Sequence, residues 1–330
     1  MFKNIILFTV GFALVVVVVG AFVRLTNAGL GCPDWPGCYG QLTPAHAAQD
    51  IAQAVQAQGG VHGPVSVEKA WHEMLHRYLA ATLGVLILII AVMAWVQRER
   101  LAYEGQSPWL PSALLLLVLF QAALGMWTVT LLLKPVIVTL HLLGGLATLA
   151  LLTWLAMRQL PQGELPRATG LRRWAGLGLA LLVAQITLGG WVSTNYAALA
   201  CIDLPTCHGA WAPEMDFQHG FQLLRELGQT AAGDKLSYDA LTAIHWSHRV
   251  GAIVVTLYLA WLTGLVARVP QLRTLAVSVG LLLALQVTLG VSNILTGLNL
   301  GVAVGHNAGA ALLLMALVVL NCALCVRPRS

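Results

Sequence analysis

The chain has 330 residues, 58% of them apolar and only 9% charged, with a net charge of +5. Soluble domains carry roughly 25% charged residues, so a water-soluble globular fold is excluded and an all-α membrane protein is expected. The basic residues are scattered along loop edges, without the clustered patch that nucleic-acid binding needs.

Eight apolar stretches are long enough to cross a bilayer as helices, at roughly 5–24, 73–96, 110–133, 136–157, 172–193, 245–267, 272–295 and 299–325. Lys3 before the first stretch invites comparison with a signal peptide. The stretch runs to about Val23, longer than the roughly 7–15 residues of a signal core. Its repeat partner at 172–193 is internal, so it is expected to be a true span.

The first span leads into a long loop, Leu25–Ala70, that carries Cys32-Pro-Asp-Trp-Pro-Gly-Cys38. Within it, the Ala/Gln-rich stretch Ala45–Gln58 reads as a short helix on the membrane surface. Span two holds Glu73, His76 and Arg77, and span four holds His141. A polar link around Arg158–Arg173, with Pro161, Gly163 and Pro166, then divides the chain into halves 1–160 and 165–330. The second half repeats the plan. Its long loop, Tyr196–Leu241, carries Cys201-Ile-Asp-Leu-Pro-Thr-Cys207 and a mixed segment, Met215–Leu227, expected to be amphipathic. Span six holds His245, His248 and Arg249, and span eight holds His306.

Orientation follows from charge. Placing the N-terminus, the loops after spans two, four and six, and the C-terminus on one side collects Lys3, Arg98, Arg100, Arg158, Arg167, Arg172, Arg173, Arg268, Arg273, Arg327 and Arg329 there. The other side holds seven basic residues but ten of the thirteen acidic ones. The positive-inside bias puts both termini in the cytoplasm. The four loop cysteines then lie where disulfides are permitted. Cys32–Cys38 and Cys201–Cys207 read first as staples closing tight loops, with a redox relay and zinc as open alternatives. Cys322 and Cys325, in the last span, read as small buried packing residues.

The halves match position by position. His76 pairs with His248, His141 with His306, and the loop cysteines with each other. Gln121, Leu124 and Gly125 precede His141 at the offsets at which Gln286, Leu289 and Gly290 precede His306. The expected architecture is two tandem four-helix bundles related by a pseudo-two-fold axis along the membrane normal.

Ionisable side chains within spans are costly and default to function. Four histidines at one depth, paired by repeat, suggest two sites, each gripped by two imidazoles. Haem iron accepts two axial imidazoles, and bundle cores hold such cofactors. Arg77 and Arg249 stand beside the ligands as partners for haem propionates, or as ordinary snorkelling cations. Gly144, Gly145, Gly305 and Gly309 either admit a flat ring or let helices pack closely. His72-Glu73-Met74-Leu75-His76 also fits a zinc-protease pattern. His72 aligns with Ile244, however, so that pair is not the duplicated unit. Glu73 is the informative asymmetry. It lies one turn before His76, where the other half has His245. Glu73 reads as a proton-accepting or charge-stabilising group at one site, or as an anion at a helix N-terminus. His245 reads as a hydrogen-bond donor behind the ligand or a surface residue.

The ordered set of Gly31-Cys32-Pro-Asp-Trp-Pro-Gly-Cys38, Glu73-Met-Leu-His76-Arg77, His141-Leu-Leu-Gly144, His245-Trp-Ser-His248-Arg249 and Gly305-His306-Asn307 resembles the haem A synthase family across nearly the whole chain. Trp211-Ala-Pro-Glu-Met-Asp-Phe217 resembles its longer-loop branch. The resemblance implies a multi-pass protein of the cell inner membrane that oxidises the C8 methyl of haem O to a formyl group, giving haem A. It implies that His76 and His141 hold the substrate haem, that Glu73 is catalytic, and that His248 and His306 keep a haem b. A haem O synthase to deliver substrate and a membrane electron donor are the partners implied, with homo-oligomerisation open. A two-haem b-type electron carrier and an intramembrane zinc protease are the rival readings.

Overall fold

A computed structural model describes residues 1–58, 60, 65–103, 106–160 and 170–325. The chain runs α1 (Phe2–Leu25), α2 (Ala48–Ala57), α3 (Val67–Val96), α4 (Arg98–Tyr103), α5 (Trp109–Thr130), α6 (Pro135–Met157), α7 (Leu171–Thr194), α8 (Phe217–Gly220), α9 (Tyr238–Val266), α10 (Arg273–Leu295) and α11 (Leu300–Cys325). Eight of these are long and apolar enough to cross a membrane. Among the described residues the only β structure is three isolated bridges in loops. The all-α membrane class therefore holds. The link residues Pro161, Gly163, Pro166 and Arg167, and Arg327 and Arg329 at the end, lie outside the described residues.

Two helices start earlier than hydropathy suggests: α3 at Val67 rather than near 73, and α9 at Tyr238 rather than near 245. Capping is the reason. The Ser66 and Ser237 hydroxyls each accept a hydrogen bond, 3.1 Å long, from the backbone N–H three residues on. Glu68 and Asp239 add negative charge to the first turns. Both helices thus begin in polar sequence and carry their histidines well inside.

α1, α5, α7 and α10 end alike. Each closes with an N–H to C=O bond spanning five residues, from Ala28 to Val23, Leu133 to Thr128, Ala197 to Val192 and Leu298 to Asn293. The turn needs a left-handed residue, supplied by Asn27 (φ 52), Leu132 (φ 49), Tyr196 (φ 53) and Gly297 (φ 61). Span three therefore stops at Thr130 rather than reaching 133, because Leu131–Leu133 are spent on its closing turn.

The structure divides into two compact units, Met1–Thr148 and Leu149–Ser330, and the division falls inside α6. In the first, α1 packs on α3 and α3 on α5. α5 meets the start of α6 where His141 covers Gly125. In the second, α7, α9, α10 and α11 form a closed ring of four neighbours. Gly178 lets Leu262 and Leu259 approach α7. The Tyr258 hydroxyl donates to Trp174 O at 2.8 Å, and the Asn321 amide donates to Ala175 O at 3.1 Å. Small residues and interhelical hydrogen bonds replace the hydrophobic drive that lipid removes. Cys322 is half-buried and Cys325 exposed on α11, which corrects the expectation that both are buried packing residues.

Both loop cysteine pairs are disulfides. An aspartate folds each loop: Asp34 accepts from the N–H groups of Tyr39 and Gly40, and Asp203 from those of His208 and Gly209. Donation from Gly209 N–H and the Thr206 hydroxyl, joined by His208 N–H, holds the Asp203 carboxyl far below the usual carboxylate range. In the first loop α2 buries Ile51 against Cys32, Cys38, Val65 and Met74. In the second, the expected amphipathic segment at 215–227 amounts to the single turn of α8, capped by Asp216. Beyond it the chain is held by polar contacts: Trp191 Nε1 donates to Gly220 O at 2.9 Å, and Arg225 donates to Asn195 Oδ1.

Candidate functional site

His76 on α3 and His141 on α6 face each other within the first unit. Their ring centroids are 6.4 Å apart and their planes lie at 86°. A metal ion between two imidazoles, at a metal–nitrogen distance of about 2 Å, sets centroids about 6 Å apart. The pair therefore has the separation of two axial ligands. In the second unit His306 lies within electrostatic reach of His248.

Each of the four imidazoles rests on a glycine of the preceding span. A Cβ at Gly20 would stand 2.8 Å from His76 Cε1, and one at Gly125 would stand 3.3 Å from His141 Cε1. The corresponding distances are 2.9 Å for Gly189 and His248 and 3.1 Å for Gly290 and His306. Any larger residue would push the ring away. One turn before three of these glycines stands a glutamine. Gln121 occupies the space left by Gly144, Gln286 that left by Gly309, and Gln185 that left by Gly251. Gly144 and Gly309 thus admit glutamine side chains. Gly305 packs on Leu289, and nothing stands near Gly145.

The buried Nδ1 atoms of His76, His141 and His306 have no side-chain partner, while the main chain of Gln121 and Gln286 stands near the His141 and His306 rings. Buried polar atoms are normally paired. Imidazoles without a side-chain partner at Nδ1, seated on glycine cradles among apolar spans and at ligand separation, fit a haem. Among the described residues no group of three or more His, Cys, Asp or Glu side chains converges as a metal site. Glu73 is turned to the disulfide loop, and the His72 ring packs edge-on against Phe22.

Glu73 is 4% exposed. Its Oε2 accepts from Cys32 N–H at 2.9 Å and its Oε1 from Arg77 Nη2 at 2.5 Å. His245, the repeat partner, does the same work with a ring: its Nδ1 accepts from Cys201 N–H at 3.2 Å. Both residues tie the start of a disulfide loop to the span that carries a histidine of the pair. The arginines complete the tie. Arg77 donates to the carbonyls of Asp34 and Gly37, and Arg249 to those of Cys201, Asp203 and Thr206. Both guanidinium groups, read in sequence as propionate partners or as snorkelling cations, have loop carbonyls as partners. Carboxylate in one unit and imidazole in the other remains the main chemical difference between the loop ties.

Gly20, Gly189 and Gln185 escaped sequence reasoning. The recurring unit of a glutamine four residues before a glycine, read only around Gly125 and Gly290, would have found Gln185-Ile-Thr-Leu-Gly189.

The fold and site define a polytopic helical membrane protein with four half-buried histidines, two of them at ligand separation, and two disulfide-closed loops. The chain belongs to the COX15-CtaA family, described as cytochrome oxidase assembly protein, whose model matches residues 3–318. It is 42% identical to a haem A synthase of Shewanella oneidensis over 95% of this chain and 93% of that protein. Haem A synthases of Rhizorhabdus wittichii and Halalkalibacterium halodurans are 28% and 27% identical, over 92% and 88% of this chain and 88% and 86% of theirs.

Proposed function

We propose that this chain is a haem A synthase, an oxidoreductase that converts the C8 methyl of haem O to a formyl group. The observation that carries this reading is the His76–His141 pair at ligand separation, with Glu73 buried one turn away and no carboxylate at the equivalent place, His245, in the other unit. His76 and His141, whose rings are seated on Gly20 and Gly125, would hold the substrate haem. Two successive oxidations, each consuming one dioxygen, two electrons from the donor and two protons and releasing one water, take its methyl to an alcohol and then to a gem-diol, which loses water to leave the formyl group. Glu73, held by Arg77 and Cys32 N–H, is an anion fixed in place. It stabilises positive charge building at the reacting carbon or removes a proton there. His248 and His306 would hold a haem b, which would supply one-electron transfer. Gly189 and Gly290 shape that second cradle, and the loop ties of Arg249 and His245 hold the start of the loop over it.

The two halves, 1–160 and 165–330, divide the labour between substrate and resident haem. The protein sits in the cell inner membrane with both termini cytoplasmic, an orientation that the arginine bias supports. It receives haem O from a haem O synthase and electrons from a membrane donor. Glu73→Gln keeps an oxygen to accept from Cys32 N–H but loses the charge. In cells supplied with haem O, that variant retains bound haem, while haem A falls at least about 100-fold, the lower range for a positioned acid or base. Normal haem A on pigment extraction would remove Glu73 from the chemistry.

A further inference from the structure

Three of the four histidines have a glutamine one turn before their glycine; His76 does not. The position equivalent to Gln185 is Val16, and the position equivalent to Gly251 is Leu79. The glutamines also differ in reach. Gln121 meets no hydrogen-bond partner at either end of its amide. Gln286 approaches the far ring nitrogen of His306, Nε2, at 3.4 Å. Only Gln185 grips a ring Nδ1. Its amide nitrogen lies 2.9 Å from His248 Nδ1 and 2.9 Å from His248 O, while its Oε1 is buried with no partner. Oε1 sits where a Cβ at Gly251 would be, 2.3 Å away, so any side chain at 251 would evict the amide.

The chemistry of that amide depends on the imidazole. When Nε2 binds a metal, the ring proton resides on Nδ1, which must then donate. Turning the amide presents its unpartnered oxygen to Nδ1–H at the cost of the bond its nitrogen makes to His248 O, so the metal-bound state exchanges one hydrogen bond for another. Partners of this kind fix ring orientation and raise ligand basicity.

Resting on the haem A synthase reading, we propose that Gln185 is a positioning residue that locks His248 as a permanent ligand of the second-half haem. Its replacement by Val16 and Leu79 leaves His76 the exchangeable ligand of a haem that must enter and leave. One half is built to keep its haem and the other to pass it on.

Two parent proteins separate the sites: His76→Ala, which leaves the second-half pair, and His248→Ala, which leaves the first. Haem release from each is followed by transfer to excess apomyoglobin, and the haem potential by redox titration. Release from the second-half site is expected to be at least about tenfold slower than from the first. Adding Gln185→Leu to the His76→Ala parent speeds release about tenfold, within the range for lost outer partners of metal ligands. It also raises the potential, by about 59 mV if the ferric preference falls tenfold. Gln185→Glu, a stronger acceptor for Nδ1–H, shifts the potential the opposite way, which loss of packing alone cannot do. Unchanged release and potential in Gln185→Leu, or shifts of one sign in both variants, overturn the proposal while leaving the enzyme reading intact. If neither parent binds haem, the enzyme reading falls and the proposal falls with it.

Discussion

Glu73 and His245 occupy one structural role with different chemistry. Each accepts from the first cysteine N–H of its disulfide loop. A carboxylate there brings an arginine-paired charge, and an imidazole accepting through Nδ1 brings none. The difference was legible in sequence, because repeat alignment sets Glu73 against His245. The loop contact was not, since it joins residues 41 positions apart, and spacing says nothing of which way a helix face turns. The arginines illustrate the same limit. A guanidinium after a ligand suggests a propionate, yet folded loops expose carbonyls that compete for the same donors. The loop aspartates allow a further test. Asp203 is held charged by N–H and hydroxyl donors, so its folded value lies below its unfolded one near 4. The stability it contributes is full above the unfolded value and is lost as pH falls through the folded one. Thermal unfolding in detergent is expected to show Asp203→Asn less stable than the parent by a constant margin above about pH 5. The margin narrows as pH drops below about 4. A pH-independent margin would mean the charge plays no part.

At the scale of elements, hydropathy located every span and misjudged ends. α3 and α9 begin in polar sequence because Ser66 and Ser237 cap them, and α5 ends in apolar sequence because its closing turn uses leucines. A window that averages apolarity sees neither effect. The segment at 215–227 mixes aromatic and charged residues, yet only Phe217–Gly220 is helical. The turn ends where Gly220 O accepts from Trp191 and Arg225 reaches Asn195. Ser66→Ala and Ser237→Ala are each expected to cost about 1 kcal/mol, read as a lower melting temperature with unchanged haem content. A change in haem content without loss of stability would show that the caps position the histidines directly.

For the molecule as a whole, the duplication was the strongest signal in the sequence, because both copies keep two histidines within spans. The glycine cradles and Gln185 stayed hidden because glycine is common in spans, and its meaning appears only when a ring is found on it. The two disulfides close loops that Arg77 and Arg249 bind through carbonyls. Replacing Cys32 and Cys38 together with Ala is expected to lower the melting temperature by several degrees and leave turnover within about twofold, the behaviour of a structural staple. Loss of turnover at full stability would assign that disulfide to electron flow.

The central claim is that imidazole pairs hold two haems of different fate. It is tested most directly by identifying the haems in protein purified from cells that make haem O. The parent is expected to carry haem b together with haem O or haem A. His76→Ala or His141→Ala should lose the haem O and haem A, and His248→Ala or His306→Ala should lose the haem b. A colourless parent, or a haem complement untouched by all four substitutions, would contradict it.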